Sequence, residues 1–310
     1  MRVQKIGIGE AHAKLILVGE HAVVYGQPAI ALPVTILKMK VTLTEQGFGQ
    51  YIEDADMRRR LERMGEDFEG IRQLILRLLA KFHAEKLPFS LEIDSNIPRG
   101  RGLGASAALA TAITRAFYNF FDTELSMSDI FYHVNFSETI MHGRASGVDA
   151  AAVNSSKPIW FVKGTPMKTI DVTLAGFLVI ADSGIRGRTT QAVSIVQNNL
   201  IEKTEETEKS IAALGQLTHD VRKILGTDNL ESLGVAMNQA QENLEKMGVS
   251  HPTLETLIRA ARKSGALGAK LTGSGLGGVI IALAPSEIDA VRISQSLALS
   301  GAQNTWIFNI

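Results

Sequence analysis

The stretch IDSNIPRGRGLGASAALATAI, residues 93–113, narrows the choice of fold more than any other part of the chain. A strand-like run ends at a proline, glycines stand at 100, 102 and 104, and small residues then lead into an alanine-rich segment. Glycine leaves the backbone bare where another group must approach closely or where φ must turn positive. The order is therefore strand, glycine loop, helix, the building unit of a fold that mixes both kinds of element. N–H groups freed by such a loop and gathered at a helix N-terminus make an anion site that the helix dipole assists. Close helix–strand packing is the competing use of the same glycines. A Walker loop is excluded, because Ala105-Ser106 follows where Lys-Ser/Thr is required. A dinucleotide fingerprint is excluded as well, since the chain still reads as helix at Phe121, short of the acid-tipped strand that motif needs. Arg99 and Arg101 flank the loop, and Ser106 falls in the first helical turn, where its hydroxyl either caps the helix or meets a phosphate or Mg²⁺.

Around this unit the periodicity reads as α+β. KIGIGEAHAKLILVGE, AVVYGQPAIALPV and KMKVTLTEQ read as successive strands punctuated by Gly26, Pro28 and Pro33. From Met57 to Phe82 apolar residues recur at threes and fours, predicting one amphipathic helix. FSLEID reads as a strand, Ser106–Phe121 as a mostly buried helix, and Met127–His142 as a helix that ends at a glycine cap, Gly143. After the strand near PIWFV a second pattern begins, so lobes of 1–172 and 173–310 are expected. The second holds a strand FLVIADSG, a long helix from Thr189 to about Leu225, helices near 229–247 and 252–264, a hairpin around KLTGSGLGG, a helix over 286–299 and a last strand TWIFNI.

At 310 residues the chain has room for two cores. Lys plus Arg and Asp plus Glu balance at 32 each, which removes the electrostatic footprint of a nucleic-acid binder. Cysteine is absent, so disulfides, thiolate metal sites and cysteine nucleophiles are excluded. The opening segment is too interrupted by charge for a secretory leader or a membrane span, and a cytoplasmic location is expected. Periodicity does not separate a dimer face from core, so a homodimer stays open.

Two further stretches carry chemistry-bearing residues. In ETIMHGRASGVDAAA, Glu138 lies on a predicted helix and Asp149 in a loop among apolar residues. A buried carboxylate needs a partner or a task; Asp149 either caps a short helix or works with Glu138 as a pair, one for metal and one for a proton or a charge. In AHAKLILVGEHAVVYG, Lys14 interrupts an apolar strand, where it either snorkels to a sheet rim or serves a site. Glu20 and His21 follow at that strand's end, where α/β folds place ligand contacts.

KLILVGEHAVVYG, PRGRGLGASAA and KLTGSGLGG, in this order and spacing, resemble the motifs of the superfamily that includes galactokinase, homoserine kinase, mevalonate kinase and phosphomevalonate kinase. GEHAVVYG and HGRASGVDAAA look like the mevalonate kinase branch. The resemblance covers almost the whole chain and implies a two-lobed α+β kinase fold, its N-terminal lobe ribosomal-protein-S5-like and its C-terminal lobe ferredoxin-like. It implies ATP-dependent phosphorylation of the C5 hydroxyl of (R)-mevalonate in isoprenoid biosynthesis, with Mg²⁺. A sister kinase such as phosphomevalonate kinase and a catalytically silent sensor are the alternatives. By the same resemblance Asp149 faces the substrate hydroxyl and Lys14 lies beside it, lowering the hydroxyl's pKa. Ser106 and Glu138 bind Mg²⁺. Pro98, Arg99, Gly100, Arg101, Gly102, Leu103, Gly104, Ala105, Ser106 and Ala107 form the nucleotide loop. Glu20, His21, Thr189, Gly273 and Ser274 line the substrate side. Two departures stand out: Ala105 replaces the first serine of the usual Gly-Ser-Ser, and AHAK replaces Ala-Pro-Gly-Lys.

Overall fold

The computed structural model describes residues 4–55, 57–142 and 147–310. Contacts divide the chain into two compact units, one of residues 1–14, 33–98 and 104–155, the other of 15–32, 99–103 and 156–310. Along the chain, β1 (Ile6–Val18), β2 (Ala29–Glu45), β3 (Gln50–Asp54), β4 (Met57–Arg60), α1 (Glu69–Lys81), β5 (Phe89–Ser95), α2 (Ala105–Phe120), α3 (Met127–His142) and α4 (Val148–Ala152) come first. β6 (Ile159–Phe161), β7 (Lys168–Thr169), β8 (Phe177–Asp182), α5 (Thr189–Glu202), α6 (Thr204–Ile224), α7 (Leu230–Lys246), α8 (Pro252–Lys263), β9 (Gly268–Thr272), β10 (Val279–Ala284), α9 (Glu287–Leu299) and β11 (Asn304–Asn309) follow. No helix among the described residues is long and apolar enough to cross a membrane.

In the first unit the sheet order runs β4-β3-β5-β2, with β3 parallel to β5 and the other pairs antiparallel; Ile52 pairs with Leu91 and Val41 with Ile93. α2 is the helix at its centre. Its buried residues include five alanines beside Leu109, Ile113, Phe117, Tyr118, Phe120 and two threonines, and β1 answers with Gly7 and Gly9, where any Cβ would collide with the backbone of Ala116 and Ala112. Small residues on both sides let the helix lie directly against the strand, which fixes where its N-terminus falls.

The second unit contains the antiparallel sheet β11-β8-β10-β9. Its strands and the α9 crossover follow the βαββαβ order of a ferredoxin-like lobe. β9 and β10 form the expected hairpin, Thr272 opposite Val279, and both strands are buried along their whole length. Close backbone approach recurs here between Gly234 on α7 and Gly268 on β9.

Several expectations are corrected. Residues 57–68 are not part of the α-helix: Arg58–Arg60 pair across to Glu53–Tyr51, with the Arg58 and Arg60 guanidinium groups 4.4 and 5.8 Å from the Tyr51 ring, residues 61–63 and 66–68 form two short 3-10 turns, and the α-helix starts only at Glu69. Cross-strand pairing outweighed an apolar spacing that fits both forms. AVVY is a short 3-10 turn rather than a strand, bracketed by Gly19 and Gly26 at φ 102° and 84°. Pro33 does not end a strand. It sits inside β2, between the stretch that pairs with β6 (Ala29–Ala31) and the stretch that pairs with β5 (Met39–Glu45). The long helix from Thr189 breaks at Lys203 (φ −136°, ψ 49°), where Thr207 donates its hydroxyl to the Asn199 carbonyl. The cap expected at Gly143 lies outside the described residues.

Candidate active site

The glycine loop is shared between the units: Arg99–Leu103 belongs to the second and Gly104 onward to the first. In the first unit, Gly104 is the N-cap of α2, held at φ 72°, a conformation natural to glycine. Its carbonyl takes the first helical bond, from Ala108 N at 2.9 Å. The N–H groups of Ala105, Ser106 and Ala107 have no partner within the helix and point out of its positive end. Ser106 is the second helical residue, so capping is not its role; the cap is a glycine.

Lys14 lies against this same point. A Cβ on Gly104 would come within 2.9 Å of Lys14 Cγ, so the absence of a side chain at 104 leaves room for the lysine. Lys14 does not snorkel: its side chain is 4% exposed and its Nζ is 3.0 Å from Asp149 Oδ1. Asp149 sits in the first turn of α4, whose N-cap is Gly147, so it is not a cap either. Its side chain remains 34% exposed. A buried ammonium thus holds a carboxylate that a ligand can still reach. Glu138 is buried on α3, which packs along α2.

In the second unit the loop 99–103 meets the loop after β9. Gly102 and Gly273 stand backbone to backbone, a Cβ on Gly273 falling 3.3 Å from Gly102 Cα. The segment after β8 ties both loops down. Gly187 N donates to Gly100 O at 2.8 Å, Gly278 N to Ile185 O at 2.7 Å, and Ser183 Oγ to Gly278 O at 2.7 Å. Thr189 opens α5 just beyond and is exposed, as is Arg99. Pro98 is half-buried in the first unit and Leu103 fully buried in the second. Arg101 turns to Asp182, Nε to Oδ1 at 2.7 Å, and donates to Gly184 O at 3.0 Å. Its guanidinium therefore anchors the loop.

Glu20 and His21 are both buried. Glu20 is ion-paired with Lys270, each side chain fully buried. Burial pushes the Lys270 ammonium pKa down, and Glu20 opposes that shift. His21 has φ 59° and ψ −47°, an uncommon conformation for a non-glycine residue. Its Nε2 lies 3.2 Å from Ser274 O. A carbonyl only accepts, so Nε2 carries the hydrogen. Burial lowers the His21 pKa to about 4, with the Lys270 charge adding to the effect against the Ser274 bond. Asp182 and Lys270 were missed at the level of sequence. The signal that singled out Lys14, a lysine inside an apolar run, is equally present in ALGAKLTG.

The first unit thus sets an open helix N-terminus beside a carboxylate that a ligand can reach. Residues 71–157 match the family description "GHMP kinases N terminal domain" and residues 220–303 match "GHMP kinases C terminal". Mevalonate kinase of Thermococcus sibiricus is 30% identical over 94% of this chain and 93% of its own. The crystal structure of mevalonate kinase from methicillin-resistant Staphylococcus aureus superposes with a TM-score of 0.77 at 30% identity, covering 98% of this chain and 99% of that one. L. major mevalonate kinase in complex with R-mevalonate shares the fold, with a TM-score of 0.84 at 24% identity over 100% of this chain and 96% of that one. The chain belongs to the GHMP kinases, ATP-dependent enzymes that phosphorylate small molecules, and the relatives just named at 30% identity are mevalonate kinases.

Proposed function

We infer that the chain transfers the γ-phosphoryl group of ATP to the C5 hydroxyl of (R)-mevalonate, giving 5-phosphomevalonate for isoprenoid synthesis. The observation that carries this reading is the contact of Gly104, the cap of α2, with Lys14, which holds Asp149 at 3.0 Å. Phosphoryl transfer asks a protein mainly for positioning and charge stabilisation. The N–H groups opening α2 grip the phosphates, and Asp149 accepts the hydrogen bond of the acceptor hydroxyl. As the new O–P bond forms, that proton passes to the Asp149 carboxylate and ADP leaves with the electrons of the broken P–O bond. Lys14, buried and immobile, keeps the carboxylate aimed.

The Ser106 hydroxyl and the Glu138 carboxylate are hard oxygen donors that suit Mg²⁺, whose charge offsets that of the nucleotide phosphates when bound. Pro98, Arg99, Gly100 and Gly102 shape the nucleotide loop, with Arg101 as its anchor. Glu20, His21, Thr189, Gly273 and Ser274 contact the acceptor. Residues 1–172 act as the nucleotide lobe and 173–310 as its partner lobe, in the cytoplasm.

The test is ADP release from Mg-ATP with mevalonate, phosphomevalonate, galactose or homoserine, with Asp149→Asn as control. Turnover on mevalonate alone, lost in the variant, is expected. Turnover on another acceptor reassigns the substrate. Nucleotide binding with no turnover on any acceptor refutes the enzymatic reading.

A further inference from the structure

We propose that Lys270 is a positioning residue for the acceptor side of the site, acting through Glu20; the proposal rests on the reading of Glu20 as an acceptor contact. β9 is buried along its whole length, yet one face carries a polar row at alternate positions, the period at which strand side chains point the same way. Lys270 donates to Glu20 Oε1 and, at 2.6 Å, to Leu271 O. Thr272 Oγ1 accepts from Ile16 N at 3.0 Å and donates to Ile16 O at 2.9 Å. Two residues on, the Ser274 carbonyl accepts from His21. All of these contacts but the one to Leu271 O hold the segment Ile16–His21, so the hairpin strand that carries the second glycine loop also sets the ends of Glu20 and His21.

The charge pattern gives the row a task beyond holding the chain. Glu20 is fully buried and, alone, its carboxylate would be costly to ionise there. Once ionised, it would repel an acceptor that itself bears a carboxylate. Paired with Lys270 the couple has no net charge, and the carboxylate oxygens are fixed as acceptors for a hydroxyl. The same ammonium disfavours a second positive charge on His21, keeping that ring neutral with Nε2–H committed to Ser274 and Nδ1 as an acceptor.

A double-mutant cycle on the full chain separates these roles. Steady-state kinetics with Mg-ATP and mevalonate are measured for wild type, Lys270→Met, Glu20→Gln and the double variant. Lys270→Met is expected to lower kcat/KM for the acceptor about tenfold or more, mainly through KM, with the ATP KM within about twofold of wild type. In the Glu20→Gln background the same change is expected to cost less than about twofold. An equal loss in both backgrounds, or a parallel rise of both substrates' KM, overturns the proposal. Should Lys270→Met not fold, Lys270→Gln replaces it, and the double variant, which leaves no unpaired charge, still gives one arm of the cycle. Wild type inactive on mevalonate overturns the underlying reading instead, and the cycle is then run on the acceptor that wild type does use; inactivity on every acceptor overturns both.

Discussion

Two lysine–carboxylate pairs in this chain look alike in sequence and differ in what their surroundings leave open. Lys14 and Asp149 lie 3.0 Å apart, with the lysine buried and the carboxylate 34% exposed. Lys270 and Glu20 are both closed off from water. In each, an ammonium within an apolar strand finds an acid far away along the chain. The open pair presents a carboxylate that a ligand can reach, while the closed pair holds geometry and cancels charge. Exposure at one end of an ion pair thus separates a reacting group from a positioning one.

The largest expected effect tests the open pair. Asp149→Asn should lower kcat by about 10²- to 10⁴-fold, the usual worth of a positioned proton acceptor, while the urea midpoint moves less than it does for Lys270→Met. A variant keeping a third of wild-type turnover would remove Asp149 from the chemistry. For the closed pair, Lys270→Met should cost about 3–5 kcal/mol of stability in urea titration, because it strands a buried carboxylate; a loss below about 1 kcal/mol would show that water reaches Glu20.

Acid sharpens the contrast next. His21 binds its proton at a pKa of about 4 when folded and 6.5 when unfolded, so the unfolded chain takes up more protons as pH falls. Its contribution is intact above pH 6.5 and is lost as pH drops towards 4, by on the order of 3 kcal/mol. Since the Lys270 charge adds to the depression, Lys270→Met should narrow that window, measured as unfolding free energy against pH; an unchanged slope would uncouple the two residues. His133, also depressed to about 4 by burial and by Arg77 and Lys81, adds to the same slope in wild type and variant alike, so the difference between them isolates His21.

Gly104→Ala places a side chain at φ 72° and against Lys14. A cost of about 1–2 kcal/mol is expected from the backbone alone, with a kcat loss that exceeds it as Lys14 shifts; stability falling without any change in kcat would detach Lys14 from the site. The smallest effect belongs to an ion pair open at both ends, Lys209 with Glu205, at 75% and 85% exposure. Lys209→Ala should change stability by no more than about 0.5 kcal/mol, and a larger value would mean that exposure is not what separates the pairs.

Much of this was legible in the order of residues. The glycine loop between strand and alanine-rich helix, the β9–β10 hairpin and the bounds of α3, α7, α8 and α9 follow from local signals: turn residues, caps and one clear period each. Where two forms share a pattern, local reading failed. The apolar spacing of 57–68 suits a helix, but Tyr51 offers a ring to two arginines, and pairing made 57–60 a strand, leaving only two short 3-10 turns before α1. The stretch 189–225 contains Gly215 but no proline, and its break at Lys203 comes instead from a threonine reaching back to a carbonyl.

The same division runs through the site. Lys14, Asp149, Ser106, Glu138, Glu20 and His21 stand out in the sequence because a polar group in apolar company must have a reason. Which reason applies was not written there. Ser106 and Asp149 each had a capping alternative, removed only when Gly104 and Gly147 proved to be the caps. Arg101 stood only as a charge flanking the loop until Asp182 was found on its guanidinium, and Lys270 passed unnoticed until Glu20 was found at its tip. Residue type and spacing set the list of groups able to do chemistry, because hydrophobicity and backbone freedom are local properties. Pairing, exposure and charge balance depend on neighbours some 80 to 250 positions away, and those neighbours exist only once the chain has folded.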